Sequence, residues 1–312
     1  MVSVVICAYT AERWDQLLRA IESVQNQSLQ ALEVIVVVDH EVELLQRLKD
    51  TLGDTVILLE NRERQGLSGA RNTGARVARG EIVAFLDDDA EAASDWLAVL
   101  VEGYRDPTVF GTGGFVEPLW SQFAPSFPSE FNWVVGCTYR GMPTERMFVR
   151  NMIGANMSFR REAINQAGGF KHGIGRVGLR PVGCEETELC IRIRKASPKG
   201  RVLYDPRAVV RHHVPAERLR LRYFISRCYS EGLSKALLTH LGGGTEDSLS
   251  SERSYVLRAL PRGFLEGLRD GLLRADRDAF VRSVWIVAGL GSTLMGYLVG
   301  SVDLRVRGLP NA

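Results

Sequence analysis

No two of the five cysteines (Cys7, Cys137, Cys184, Cys190 and Cys228) stand in a CxxC pair, and their number is odd. The sequence thus offers neither a disulfide frame nor a structural zinc site, and it favours a reducing compartment with free thiols. An excess of one charge is also missing. Against 39 Lys and Arg stand 37 Asp and Glu, which gives no reason to expect a nucleic-acid partner. The opening "MVSVVICAY" has no basic segment followed by an apolar stretch and a small-residue cleavage site, so a secretory leader is not expected. Internal repeats and low-complexity tracts are absent. In "VVICAYTAERW" no glycine follows the first apolar run. A Rossmann oxidoreductase would need GxGxxG there, and a sugar-phosphate nucleotidyltransferase its Gly-rich phosphate loop.

What is present is an ordinary globular composition, 45% hydrophobic and 24% charged, over 312 residues. That length suits one large domain or two modest ones. The first 115 residues alternate two kinds of segment. "VSVVICAY", "LEVIVVVD", "TVILLEN", "EIVAFLD" and "TVFGTGGFVEP" read as strands, the early ones as continuous β-branched runs buried on both faces. Between them, "RWDQLLRAIESVQNQ", "VELLQRLKDTLG", "LSGARNTGARVA" and "SDWLAVLVEGY" read as helices. Gly53 is expected to close the second helix and Ser68 to cap the third. This alternation predicts an α/β sheet, mostly parallel and Rossmann-like, with helices on both faces. Residues 119–183 are less regular, and "GFKHGIGRVGLRPVG" is expected to be a lid. "CEETELCIRIRKA" resumes a helix and "RVLYDPRAVVRHHVP" a strand, after which the chain turns helical and basic. A boundary is placed there, giving 1–215 and 216–312.

The chemistry gathers where strands end. Asp87, Asp88 and Asp89 follow a buried apolar run. Like charges about 4 Å apart cost roughly 4 kcal/mol at an effective dielectric near 20. Alternate residues of an extended chain share a side, so Asp87 and Asp89 are expected to face one pocket with Asp88 turned away. A divalent cation carrying a diphosphate would relieve the repulsion. Tyr9, Thr10 and Asp39 end other strands at the same edge, and Arg71 opens a helix after a Gly-containing loop. An aromatic ring, separate acids and an arginine together suit a nucleotide.

These stretches, taken in order, resemble the family 2 glycosyltransferases of GT-A fold over most of residues 2–240. "GLSGARNTGARVARGEIVAFLDDDA" is the closest match. "VSVVICAYT" ends in Cys7, Ala8, Tyr9 and Thr10 where the family usually has Pro-Thr-Tyr-Asn. In "LEVIVVVDH" the usual Asp-Asp-Gly-Ser is reduced to Asp39 and His40. "GANMSFRREAINQAGGF" matches the acceptor side, "CEETELCIRIR" the Glu-Asp motif with Glu186 where Asp is commoner, and "YDPRAVVRHHVP" the strand whose His completes the metal site. The resemblance implies that Tyr9 and Asp39 hold the base, Arg71 the diphosphate and Asp87 the ribose. Thr10 and Asp88 complete the donor set. Asp89 and His212 would bind Mg2+ or Mn2+, and Asn156 and Arg176 would stand on the acceptor side.

An inverting transfer needs a base for the acceptor hydroxyl. Glu186 shares a helix face with Leu189, Cys190 and Ile193, so it is expected to point inward, with Glu185, Glu188 and Arg192 on the polar side. Glu186 is the expected base and Glu185 the alternative.

Further on, "RLRLRYFISRCYSEGLSKALL" predicts a basic amphipathic helix with Leu221, Phe224, Ile225 and Cys228 on its stripe. "VWIVAGLGSTLMGYLVGSV", residues 284–302, carries no charge and includes the GxxxG of Gly296 and Gly300. Its modest apolarity favours a helix packed on the protein or dipping into a membrane face over a span.

The reading is a cytoplasmic, metal-dependent, inverting hexosyltransferase using a nucleotide-sugar donor, with UDP expected and GDP and dTDP open. Its acceptor is saccharide, lipid-linked or natural-product in kind. Arg140, Arg146, Arg150, Arg176 and Arg180 point to an anionic one. The reading expects no nucleic-acid partner and leaves room for peripheral membrane contact at the inner face and for a homodimer. The rivals are a nucleotidyltransferase and a non-catalytic nucleotide- or carbohydrate-binding module.

Overall fold

The structure is a computed structural model that describes residues 1–172, 183–242 and 254–307. The expected lid, with Arg176 and Arg180, therefore lies largely outside the described residues. The chain divides into two compact units. One comprises the described residues of 1–117, 143–180 and 185–213, the other those of 118–142, 181–184 and 214–312.

The first unit is built on a mixed sheet. Its strands are β1 (Val2–Ala8), β2 (Glu33–Val38), β3 (Ile57–Glu60), β4 (Ile82–Asp87), β5 (Ala90–Ala92), β6 (Val109–Trp120), β7 (Met147–Val149), β8 (Asn156–Arg160) and β9 (Arg201–Val214), in the order β3-β2-β1-β4-β8-β6-β9-β5 with β7 on β9. Strands β3, β2, β1 and β4 pair in parallel, and β8 joins β4 antiparallel. Period-two alternation sends each strand's side chains to opposite faces. Val4, Ile6, Val36 and Leu86 join one apolar cluster with α1 (Trp14–Gln25), α2 (Val42–Leu52) and α4 (Trp96–Gly103). Val5, Ile35, Val37, Val83 and Phe85 join another with α3 (Leu67–Val77), α5 (Arg161–Gln166) and α6 (Glu185–Ala196). The expected α/β arrangement with both faces covered is the observed one. At Gly74 of α3 a Cβ would lie 2.4 Å from Val5 Cγ1, so the helix sits on β1 at a distance only glycine allows.

Two local expectations change. Helix α3 begins at Leu67 with Gly66 in the cap position at φ 130, so Ser68 lies inside the first turn and is not the cap. Gly53 does end α2, at φ 53.

The second unit is helical. It holds α7 (Leu221–Gly242), a π-helical turn (Tyr255–Ala259), α8 (Leu260–Leu273) and α9 (Arg277–Arg307). Phe127, Phe131, Phe224 and Trp285 form an aromatic cluster with ring centroids 4.8 to 5.9 Å apart. On α7, Phe224 and Cys228 are buried as expected, but Leu221 is exposed, and Arg227 is buried.

Candidate active site

Parallel pairing sets Ala8 beside Val38 and Cys7 beside Asp87. Strands β1, β2 and β4 therefore stop together, and Tyr9, Thr10, Asp39 and Asp87 stand at one carboxyl edge, the place where open α/β sheets take ligands. Past β4 the chain turns through Asp88 and Asp89 into β5, whose Ala90 pairs with His212 of β9. The His213 N–H donates to the Asp89 carbonyl at 2.8 Å and pins that turn. A three-residue strand thus brings His212 to the acids, with Nε2 3.1 Å from Asp89 Oδ1. One ligand atom each from Asp87, Asp89 and His212 lie within 4.8 Å of one another.

Two carboxylates and an imidazole make a donor set suited to a hard divalent ion. Asp88 is turned aside and buried. Its Oδ1 accepts from Arg13 Nη1 at 2.6 Å, while its Oδ2 is buried with no hydrogen-bond partner. Burial pushes the Asp88 carboxyl up, against the pull of Arg13. The orphaned Asp88 oxygen and the convergence of Asp87, Asp89 and His212 at one turn fit a divalent cation.

Arg13 is a residue that sequence reasoning does not find. The same Nη1 lies 3.0 Å from Asp89 Oδ2, and the guanidinium sits 5.0 Å from the centroid of the Tyr9 ring. The available signal was its place four residues beyond Tyr9, opposite three consecutive acids in need of a counter-charge. Tyr9 remains 47% exposed. Thr10 accepts from the Glu12 N–H at 3.2 Å and caps a short 3-10 turn. Asp39 is buried. It accepts from Asn61 Nδ2 at 2.6 Å and from the Gly66 N–H at 2.9 Å, fixing the loop that enters α3.

Arg71 departs from expectation. It does not open toward a phosphate. It is 2% exposed and bridges Glu185 (2.8 Å), Asp87 (3.3 Å) and the Gly154 carbonyl (3.2 Å), with Phe85 and Phe170 rings around it. This pairing also reverses the predicted faces of α6. Glu185 and Glu188 are buried, and Glu186 is the more exposed of the three. The helical stripe alone could not register the buried guanidinium that draws Glu185 inward, nor Arg192 and Lys171, which cover Glu188 at 2.6 and 3.0 Å.

Asn156, expected on the acceptor side, is fully buried. It accepts from Trp96 Nε1 at 2.8 Å and donates to the Phe115 and Ala208 carbonyls at 3.0 and 2.8 Å. Both amide hydrogens and the carbonyl oxygen are bonded within the unit, so it ties β8 to β6, β9 and the start of α4. Arg140 and Arg146 are likewise engaged, the first with Glu130 and Glu266, the second with Glu102 and Asp205. Burial raises the Cys7 thiol, only partly offset by Arg71, so it stays protonated and offers no nucleophile.

Residues 3–168 match the family described as Glycosyl transferase family 2. The glucosyl-dolichyl phosphate glucuronosyltransferase of Haloferax volcanii is 38% identical over 241 residues, covering 76% of this chain and 77% of that protein. The solved mannosyltransferase PcManGT from Pyrobaculum calidifontis, in complex with GDP-Man and Mn2+, has a TM-score of 0.58 at 21% identity, across 98% of this chain and 87% of that one. The structure of GalNAc-T7 with UDP, GalNAc and Mn2+ has a TM-score of 0.55 at 20% identity, across 80% of this chain and only 54% of that one. The two structural likenesses bear out the GT-A fold. The sheet edge, its Asp-Asp-His group and the sequence match lead to one assignment: the chain belongs to glycosyl transferase family 2 and is a glycosyltransferase.

Proposed function

We propose that the chain is a metal-dependent, inverting hexosyltransferase that moves a sugar from a nucleoside diphosphate donor, UDP being the expected nucleotide, to an acceptor hydroxyl. Residues 1–215 carry donor binding and chemistry, and residues 216–312 form a helical extension. The observation that carries the reading is the convergence of Asp87, Asp89 and His212 within 4.8 Å, at the edge that also holds Tyr9 and Asp39. Asp89 and His212, with Asp87, would hold Mg2+ or Mn2+, which when bound supplies positive charge against the donor's pyrophosphate.

The chain's own residues divide the remaining work. The exposed Tyr9 ring stacks on the base. Asp39, already oriented by Asn61 and Gly66, offers its remaining lone pairs to the base. Thr10 flanks the donor, while Asp88, buried and bonded to Arg13, supports the turn and does not touch the donor. Arg71 acts from beneath, holding Asp87 and Glu185 in place. Glu186 takes the proton of the acceptor hydroxyl as its oxygen attacks the anomeric carbon on the face opposite the leaving diphosphate, which inverts that centre. The carboxylate of Glu185 is engaged by Arg71 at 2.8 Å, and this favours its half-exposed neighbour as the base.

The name of the Haloferax relative supports a lipid-phosphate-linked sugar as acceptor and a glucuronosyl donor as one to test. Five free cysteines support the cytoplasm as the compartment, with the inner membrane face as the place of work.

The test is a panel of UDP-, GDP- and dTDP-sugars, glucuronate included, with Mn2+ or Mg2+, scored for donor cleavage. Glu186→Gln is expected to slow turnover by at least about a hundredfold, as loss of a general base does, while nucleotide affinity stays at the wild-type value. Nucleotide binding with no cleavage of any donor would make the chain a non-catalytic module.

A further inference from the structure

Helix α9 is uncharged from Val284 to Val302. It is long and apolar enough to cross a membrane by length and composition, yet only 28% of its most apolar 18-residue window is buried. The buried residues Ile286, Gly289, Gly296 and Gly300 share one face. A Cβ on Gly296 would lie 2.0 Å from the Tyr229 carbonyl oxygen of α7, and one on Gly300 3.0 Å from Ala236 Cβ. The GxxxG face, which permits close helix approach, therefore serves α7 inside the unit. The opposite face is large, apolar and open. Val284, Val287, Leu294, Leu298 and Val302 recur there at helical spacing, each between 52% and 60% exposed. Leu272 and Leu273 at the end of α8 are 69% and 79% exposed. An exposed apolar helix face of this extent marks an interaction site. Beside it, α7 and α9 border an open groove of about 620 Å3 lined by Ile225, Tyr229, Ala288 and Met295, with Arg222 on its wall.

Charge selects the occupant. Residues 214–312 carry 14 Lys and Arg against 10 Asp and Glu, while the whole chain has 39 against 37, so the excess positive charge lies in this part. On the open face itself an arginine stands at each end, Arg277 seven residues before Val284 and Arg305 seven after Leu298, both exposed, while Asp278 and Asp303 at those ends are turned about a quarter-turn or more from it. Two copies joined through this face would set arginine against arginine in either orientation. Anionic lipid headgroups would meet the same arginines as counter-charges.

We infer that the exposed face of α9 is a docking surface for an anionic lipid bilayer, with the helix lying in the interface plane. A crossing would draw α7 along, since α7 is packed on α9 from Tyr229 to Ala236. Arg227, Glu231 and Lys235 of α7 would then enter hydrocarbon, where charged side chains are expensive. An in-plane helix leaves them on the protein side. This deepens the membrane-face element of the proposed function by naming the surface that makes the contact, and its readout does not depend on turnover.

The test uses the full chain with phosphatidylcholine vesicles, with and without phosphatidylglycerol, in sedimentation and in light scattering of the free protein. The wild type is expected to favour the anionic vesicles by at least about tenfold. Val287→Glu/Leu294→Glu is expected to lose at least about tenfold of that partitioning, with nucleotide affinity unchanged as the sign of an intact fold. Equal partitioning onto both vesicle types would overturn the inference. So would a solution dimer that the double variant splits, because a second copy would then cover the face. Resistance of the bound protein to alkaline extraction would overturn the in-plane placement, because α9 would then span the bilayer.

Discussion

Replacing Arg71 with Met removes the only cation bonded to Glu185 among the described ion pairs, at a site where both are nearly sealed from water, 2% and 7% exposed. Asp87, the other carboxylate on this guanidinium, is 29% exposed and keeps part of its hydration, so the loss falls mainly on Glu185. Opposite charges about 4 Å apart attract by about 4 kcal/mol at an effective dielectric near 20, before desolvation is counted. Measured losses on breaking a buried pair by removing one partner are about 3–5 kcal/mol. Arg71→Met is expected to destabilise the fold by that amount. Arg71→Lys should fall between variant and wild type, because one ammonium cannot span the three acceptors that the guanidinium fork reaches. Adding Glu185→Gln to Arg71→Met removes the orphaned charge and should recover about 2 kcal/mol. Urea unfolding at neutral pH, followed by tryptophan fluorescence, gives these values from midpoint and slope. A loss for Arg71→Met within about 0.5 kcal/mol, the range of an ordinary surface change, would refute the reasoning. So would a double variant no more stable than the single one.

Asn156→Ala leaves the buried Trp96 N–H without its acceptor and takes one donor from each of two strand carbonyls. At about 1–3 kcal/mol for a buried donor left unsatisfied it should cost at least about 1 kcal/mol in the same urea experiment, with the acceptor KM of the folded enzyme unchanged; a raised KM at full stability would restore Asn156 to the acceptor side. Glu33 predicts a pH effect. Burial would raise its carboxyl, but bonds from the Ser3 hydroxyl and from the Arg79 backbone and guanidinium hold it below its ordinary value of 4.5. A depressed carboxyl stabilises the fold above its unfolded value, and that stability is lost as pH falls through the folded one. Unfolding midpoints should therefore drop below about pH 4.5 more steeply in wild type than in Glu33→Gln, and parallel curves would contradict the assignment.

The parallel half of the sheet is legible in the sequence because its strands are buried on both faces. Past Ser3 and Glu33, "VVICA" and "VIVVV" are apolar without interruption, and their shortness and β-branched content set them apart from buried helices. The acid cluster is legible for the same reason, since the run that precedes it leaves it at a strand end. Strand β5 is not. Its "AEA" has no β preference, and it is a strand because β9 pairs with it across more than a hundred residues of sequence. The inward turn of Glu185 is likewise a tertiary fact, set by Arg71 on α3, 114 residues away. Asn156 misleads in another way. A buried amide with both hydrogens and its oxygen bonded inside the fold and an amide reaching for a sugar look alike in sequence, and only the positions of Trp96, Phe115 and Ala208 separate them.

The central claim is that Asp87, Asp89 and His212 hold one divalent ion. Titration of the full chain with Mn2+ in the presence of UDP, with free ion read by electron paramagnetic resonance, tests it most directly. The account predicts one ion per chain, weakened in both Asp89→Ala and His212→Ala by more than about a hundredfold, beyond what losing an outer-shell partner costs. Wild-type Mn2+ affinity in either variant would contradict it.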